Sequence, residues 1–306
     1  MTAFTLAHFS DPHLPYEPRL AGRQLFSKRL LSAWSWHRKR RRVQRQDIVA
    51  ALTADIRAVG ADHIAVTGDI TNFSLPGEFT QAAAWLDGLG AADAISIVPG
   101  NHDALVAVEP AQGWQHWQRW MRSDGDDDRV MPAWPYVRVR DRVALIGVSS
   151  AVPTAPLLAG GRIGATQLAA LETQLHAQRG RFRIVLVHHP IADGAVSRRK
   201  ALADRGALRE VLRRAGCELV LHGHARDARL DLVGRDGAPI LCLGLPSASA
   251  APNPHDAGAR WHALRIEAVA DGWQLDVATR LWDDAGAGFV SGGSFRYRIA
   301  AAEHHG

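Results

Sequence analysis

The chain of 306 residues has two cysteines, Cys217 and Cys242, and neither stands at metal-ligand spacing. A disulfide framework is therefore excluded as the main source of stability. The expectation is two buried thiols in a reducing compartment, with a disulfide between neighbouring strands allowed but not needed. No apolar run approaches the ~18 residues of a membrane-spanning helix. The opening Met1-Thr2-Ala3-Phe4-Thr5 has no basic stretch and moves straight into a strand-like run, so no signal peptide is expected. Internal repeats and low-complexity linkers are also lacking. These absences lead us to expect a cytoplasmic protein, with peripheral contact at the inner face of the membrane left open by one unusual segment.

That segment is defined by a further absence. Between Arg19 and Gln46 there is no Asp or Glu, yet there are ten basic residues: Arg19, Arg23, Lys28, Arg29, Arg38, Lys39, Arg40, Arg41, Arg42 and Arg45. The whole chain carries a formal charge of only +5, so everything outside this segment is net acidic. The basicity is one local device and not a property of the whole surface.

The 47% apolar content is ordinary for a chain with a sizeable core. Apolar runs at Thr5–Phe9, His63–Thr67 and Ala94–Val98 read as strands. Helical spacing over Asp47–Val59, closed by Gly60, and over Gly77–Leu89 places helices between them. Alternating strands and helices predict parallel βαβ units with functional groups at the C-terminal strand ends. Further on, Tyr136–Arg140 and Val143–Val148 suggest a hairpin, and Thr166–Gln178 and Ala207–Ala215 read as helices. Phe182–Val187, Glu218–Leu221, Arg229–Val233 and Ile240–Leu243 read as strands. Trp261–Glu267 and Trp273–Trp282 form a hairpin turning at Asp271-Gly272. The expected fold class is α/β with mixed sheets. We expect one domain over 1–306, with a basic amphipathic insert at about 19–46 and a C-terminal hairpin at about 260–282.

Five short segments follow strand-like runs: Asp11-Pro12-His13, Gly68-Asp69, Gly100-Asn101-His102-Asp103, His188-His189-Pro190 and His222-Gly223-His224. Each holds a carboxylate, amide or imidazole able to ligate a metal. Gly68 and Gly100 alone would only mark turns; they become informative because a ligand type follows each. The series resembles the calcineurin-like metallophosphoesterase superfamily from about Phe4 to Pro252. The resemblance implies two facing mixed β-sheets flanked by helices, with the site at one sheet edge. It also implies two divalent first-row ions (Mn, Fe or Zn), Asp11 and His13 on the first, Asp69 bridging, and Asn101, His188 and His224 on the second. His102 would touch the phosphoryl or leaving-group oxygen, with Asp103 orienting it and holding it protonated. His189 would sit behind the metal or face the substrate.

One position departs from the family pattern. The last motif usually reads Gly-His-any-His, but here it is Gly223-His224-Ala225-Arg226, and arginine does not ligate metals. The first site is expected to be weakened, with water or His222 filling the position, or with Arg226 clamping a substrate phosphate. The implied activity is phosphoester hydrolysis by a metal-activated hydroxide, with phosphodiesters first among the substrates. Lipid-linked pyrophosphates, as cut by UDP-2,3-diacylglucosamine diphosphatase, are the alternative, and a membrane-associated scaffold with degenerate metal chemistry is another.

In the basic segment, Phe26, Leu30 and Trp34 share a helical face ahead of Arg38–Arg42. This combination suits an anionic membrane surface; nucleic-acid phosphates are a weaker fit. A solvated charge run and a wall of the substrate pocket are the plainer readings. Trp114, Trp117 and Trp120 recur every three residues and are expected to pack a helix. Ser149-Ser150 and Ser247-Ala248-Ser249 follow strands and could line the cleft.

Overall fold

The apolar runs become twelve strands in two six-stranded sheets in the computed structural model, which describes residues 3–127, 130–131, 133–234, 239–253 and 258–300. In chain order they are β1 (Phe4–Phe9), β2 (His63–Val66), β3 (Ile95–Ile97), β4 (Tyr136–Arg140), β5 (Val143–Gly147) and β6 (Phe182–Leu186). The remainder are β7 (Leu219–His222), β8 (Arg229–Val233), β9 (Ile240–Gly244), β10 (Arg260–Val269), β11 (Gly272–Asp283) and β12 (Gly288–Ala300). One sheet has the order β12-β11-β10-β1-β2-β3 and the other β4-β5-β6-β7-β9-β8. Strands β1, β2 and β3 run parallel, as do β5, β6, β7 and β9. Every ligand-bearing segment follows one of these parallel strands.

The two sheets face each other across a shared core. Phe182 of β6 meets Trp273 of β11 edge-on at 5.6 Å, and the Tyr136 hydroxyl donates across the gap to the Ile97 carbonyl at 2.9 Å. Outside the first sheet lie the helices α2 (Gln46–Val59) and α3 (Pro76–Leu89), burying Ile48, Leu52 and Ile56, and Phe79, Ala82 and Leu86. Helices α4 (Ala165–Ala177) and α5 (Arg205–Ala215) cover the second sheet and form their own apolar cluster with Val185 and Val220. Helix α2 ends where the sequence says it should, at Gly60 with φ 67°. Helix α1 (Lys28–Ser35) belongs to the basic insert.

Two features differ from the sequence expectation. The hairpin at about 260–282 continues into the thirteen-residue β12, which lies at the sheet edge. Its Ser291-Gly292-Gly293-Ser294 stretch lacks the apolar alternation that reveals a strand, because an edge strand has little to bury. The three tryptophans lie on a 3₁₀ turn over Trp114–Trp120, with Trp117 and Trp120 buried. A repeat of three residues is the 3₁₀ period, so the expected helical packing is made by a 3₁₀ turn.

Arg138 shows how the second sheet is tied to the first. Its buried guanidinium donates to the carbonyls of Ala92, Ile95, Arg119 and Arg122 at 2.5–2.9 Å. Arg138→Met keeps the volume but leaves these buried acceptors unpaired, so we expect a loss of about 3 kcal/mol or more in urea unfolding. A loss below ~1 kcal/mol would show that water replaces the guanidinium.

Candidate metal centre

The loops after β1, β2, β3, β6 and β7 bring their polar residues to one point. Asp11, His13, Asp69, Asn101, His188 and His224 are all buried. Among the described residues two groups each converge within 4.8 Å: His13, Asp69 and His102, and Asp69, His188 and His224. Asp69 is common to both. Its Oδ2 lies 3.8 Å from His13 Nε2 and 3.5 Å from His188 Nε2, so one carboxylate oxygen faces an imidazole from each sheet. Asp11 Oδ1 lies 3.8 Å from His13 Nε2 on the other side, and Asn101 Oδ1 lies 3.2 Å from His188 Nε2.

Each ligand type is held from behind by the backbone. His188 Nδ1 donates to the Thr67 carbonyl at 2.6 Å, which leaves Nε2 facing Asp69. The Lys200 carbonyl takes His224 Nε2 at 3.0 Å, which leaves Nδ1 for the centre. His13 Nδ1 lies 3.2 Å from the Thr71 carbonyl. Asp11 Oδ2 accepts from Ser10 Oγ and the His224 amide, and Asp69 Oδ1 accepts from the His102 amide. Such outer contacts fix which imidazole nitrogen presents its lone pair. The backbone is strained to do this. Asp11, His13, Asp69, His224 and Arg226 all have positive φ, between 39° and 66°, a conformation that costs a non-glycine residue about 1 kcal/mol or more. Gly68, at φ 94°, has room for no side chain: a Cβ there would stand 2.6 Å from the Gly100 amide and 2.7 Å from His188 Nδ1.

These groups lack the charge balance of a finished core. Burial alone would raise the Asp69 pKa, but the imidazoles of His188 and His102 hold it well below the usual carboxylate range. Burial would likewise lower His188, but Asp69 outweighs it and pushes the imidazole up to about 10. Asp11 is raised to about 6 by burial, with Asp69 adding to it. Two buried carboxylates thus compete for positive charge, and the oxygen and imidazole donors around them suit first-row divalent cations. The residues present fit a two-metal centre: Asp11, His13 and Asp69 on one side, and Asp69, Asn101, His188 and His224 on the other.

Several expectations need correction. Asp103 does not orient His102. Its carboxylate accepts from the Gly100 and Thr71 amides and the Thr71 hydroxyl at 2.8–2.9 Å, so it braces the loops that carry Asp69 and Asn101. The carbonyl of Asn72 orients His102 instead, 3.0 Å from Nδ1. Nor is His102 held protonated: burial, with the Arg40 charge adding to it, lowers the ring to about 3. His189 has no nitrogen for a substrate, because Nδ1 pairs with Ser150 Oγ and Nε2 with the Ala159 carbonyl. It is a wedge whose ring packs on both His188 and His224. His222 does not turn toward the centre; it is fully buried against Gly244. Ser247 serves the site by donating to the Asp11 carbonyl.

Arg226 is exposed at the rim, near enough for its charge to contribute to lowering His13 and His102. Sequence reasoning missed a second arginine. Arg40, from the basic insert, lies with Nη2 3.2 Å from His13 Nδ1 and 2.8 Å from Asn72 Oδ1. The signal was present: Arg29, Ser32, Ala33, Trp36 and Arg40 recur at helical spacing. This is the inward face of the insert. Arg29 donates to the carbonyls of Phe73 and Ser74, Ser32 to that of Asn72, and Trp36 packs edge-on against Phe73.

A family model described as Calcineurin-like phosphoesterase matches residues 4–225. No curated protein matches the chain. Among solved structures, purple acid phosphatase PPD1 from yellow lupin (Lupinus luteus) seeds aligns with a TM-score of 0.59 at 11% identity. That alignment covers 96% of this chain and 53% of the phosphatase, so the chain spans about half the phosphatase's length. Vacuolar Protein Sorting 29 from Cryptosporidium parvum aligns at 12% identity and TM-score 0.43, over 96% of this chain and 98% of the other. GAP50 of Plasmodium aligns at 12% identity and TM-score 0.47, over 98% and 90%.

The His188–Asp69 pair makes metal uptake pH-dependent. The metal-free protein holds a proton on His188 up to pH about 10, and a ligand nitrogen must lose it. Uptake near pH 7 should therefore release about one proton, and affinity should climb with pH until about 10. Calorimetry in two buffers of different ionisation enthalpy reads this directly; uptake with no proton released would contradict the arrangement.

Proposed function

As the chain belongs to the calcineurin-like phosphoesterase family, we propose that it is a metal-dependent hydrolase whose phosphoester substrate is held at an anionic lipid surface. The observation that carries the lipid part is an inverted helix. Helix α1 buries Ser32 and Ala33 and turns Leu30, Leu31 and Trp34 to solvent, Trp34 being 61% exposed. Phe26, in the turn before α1, is 93% exposed. Lys28 ties the neighbouring loop to the same edge by donating to Thr154 Oγ1 and the Leu158 carbonyl, and that loop exposes Leu157 and Leu158. Arg19, Arg23, Arg38, Lys39, Arg41 and Arg42 of the same segment are exposed as well, and Arg38 stacks over the Trp34 ring. Exposed apolar side chains and exposed cations on one segment suit the acyl boundary and headgroups of an anionic bilayer. The segment's inward face reaches the metal centre, so a headgroup phosphate at this edge lies beside the site.

Bound divalent ions would supply Lewis acidity and a nucleophilic water. The chain's own residues do the rest. Asp69 and Asp11 carry the negative charge that would hold the ions, and the Thr67, Thr71 and Lys200 carbonyls fix the imidazoles. His102, half-buried and with its Nδ1–H anchored on the Asn72 carbonyl, keeps a neutral ring whose Nε2 lone pair can accept a proton from water or substrate, not donate one to a leaving-group oxygen. We take the two metal positions as unequal, since Arg226 stands where a further imidazole would complete the first. Titration with Mn²⁺ should show one tight and one weaker site, and Arg226→His should strengthen the weaker. Two equally tight sites in the parent protein would sink this.

The function is tested with chelated and metal-restored protein on two substrates. Bis-p-nitrophenyl phosphate turnover should vanish with chelator and return with Mn²⁺. Sedimentation with anionic vesicles should fall roughly thirtyfold in an Arg41→Ala, Arg42→Ala variant, at ~1 kcal/mol per cation. Arg40 is left out of that variant because it faces the site. Unchanged vesicle binding would remove the lipid reading and leave a hydrolase of soluble diesters, cyclic nucleotides among them. A lack of turnover with any metal would leave the scaffold reading.

A further inference from the structure

One ring nitrogen in the centre has two claimants that cannot both be served. His13 Nδ1 lies 3.2 Å from the Thr71 carbonyl and 3.2 Å from Arg40 Nη2. The carbonyl only accepts, so it needs a proton on Nδ1. The guanidinium only donates, so it needs the Nδ1 lone pair. A neutral imidazole has one proton and one lone pair, and each contact therefore demands a different tautomer. A doubly protonated ring would meet Arg40 donor to donor.

The choice reaches the other side of the ring. His13 Nε2 lies 3.8 Å from both Asp11 Oδ1 and Asp69 Oδ2. With the proton on Nδ1, the Nε2 lone pair faces these carboxylates, as a ligand must. With Arg40 on Nδ1, the proton stands on Nε2, and the ring cannot ligate. In the absence of a cation Arg40 has the advantage, because its hydrogen bond is charge-assisted and the carbonyl's is not. Its seat is built. Asn72 Nδ2 donates to the Leu14 carbonyl at 2.9 Å, which turns Asn72 Oδ1 toward the guanidinium at 2.8 Å. The Ser32 hydroxyl donates to the Asn72 carbonyl at 3.0 Å. After α1 the chain makes a π-helical turn over Trp36–Arg40 that ends on Arg40, and such single turns recur at functional sites.

We propose that Arg40 is a positioning residue that sets the tautomer of His13 and so gates the first metal position. This rests on the two-metal reading of the centre. In the metal-free protein Arg40 holds Nδ1, and the proton is on Nε2. On metal uptake Arg40 leaves the ring, kept by Asn72 Oδ1, and the proton stands on Nδ1 facing Thr71. The ring loses one proton and gains one, so His13 adds nothing to the proton that His188 releases. Coupling of this kind is reciprocal. Whatever unseats the insert frees His13 for the ion, and filling the first position loosens the insert.

The test is nitrogen NMR of protein carrying ¹⁵N-labelled histidine, metal-free and with Zn²⁺, the His13 signals being assigned from a His13→Gln variant. The metal-free parent should show the Nε2-protonated ring and the Zn²⁺-loaded parent the Nδ1-protonated ring. Arg40→Met keeps most of the side chain's length and removes its donors. It should show the Nδ1-protonated ring without metal, and in calorimetry it should bind Zn²⁺ at the weaker site roughly tenfold tighter. Nδ1 protonation in the metal-free parent overturns the proposal, as does an Nε2-protonated ring that survives Arg40→Met. Mere relief of repulsion between guanidinium and cation would raise affinity with the metal-free tautomer unchanged, which is that second outcome. Should Arg40→Met fold poorly, the two spectra of the parent decide alone. If neither protein takes up Zn²⁺, the two-metal reading falls and the gate with it, whereas uptake with an unchanged ring ends the gate alone.

Discussion

One carboxylate organises this molecule. Asp69 is buried between His13 from the loop after β1 and His188 from the loop after β6, so an imidazole of each sheet faces the same oxygen. A charge in that position is unstable without compensation, and the surrounding chain provides it. The His102 amide takes the other oxygen, Asp103 braces the loop behind, and the His188 ring is pinned to Thr67. The sheets are thus joined at their top edge by polar contacts as well as by the apolar core below. Because the strands beneath are parallel, five loops end at one edge, where strained backbone at Asp11, His13, Asp69 and His224 aims their side chains inward.

The basic insert obeys the opposite logic from an ordinary helix. It buries a serine and an arginine head against the carbonyls of Asn72, Phe73 and Ser74, and it exposes leucine and tryptophan. Glu78 makes that possible. Its carboxylate accepts from the Asn72, Phe73 and Leu75 amides, so the loop's carbonyls are left pointing at the insert. The same loop carries Asn72, which holds Arg40 by its side chain and His102 by its carbonyl. The insert and the reacting edge of the site therefore share one short stretch of backbone. A change in how the insert sits would be felt at both arginine and histidine.

The candidate metal ligands were legible in the sequence because each sits immediately after an apolar strand. A local pattern, strand then a residue able to ligate, marked the five segments, and the family resemblance they carry singled out Asp11, His13, Asp69, Asn101, His188 and His224, which the fold brings together. The strands, helices α2 to α5 and the stop at Gly60 were legible for the same reason, since periodicity and caps are local. Partnership was not. Asp103 is adjacent to His102 in the chain, yet its carboxylate serves the Gly100 and Thr71 amides, because a side chain's contacts follow the direction of its Cβ. Within a run of five basic residues, Arg38 to Arg42, charge density hid the one that turns inward. Strand β12 pairs at an edge and buries little, so it left no apolar rhythm to read.

Sequence alone thus pointed to the family and to where along the chain the candidate ligands lie, since both follow from residue type and short-range order. Which groups meet was decided only in three dimensions. Asp69 meets an imidazole of each sheet because the two sheets face each other, Arg40 reaches His13 because the insert packs its polar face inward, and Arg226 stands exposed at the rim beyond His224. Those encounters depend on the packing of segments dozens to nearly two hundred residues apart, and no local pattern encodes them.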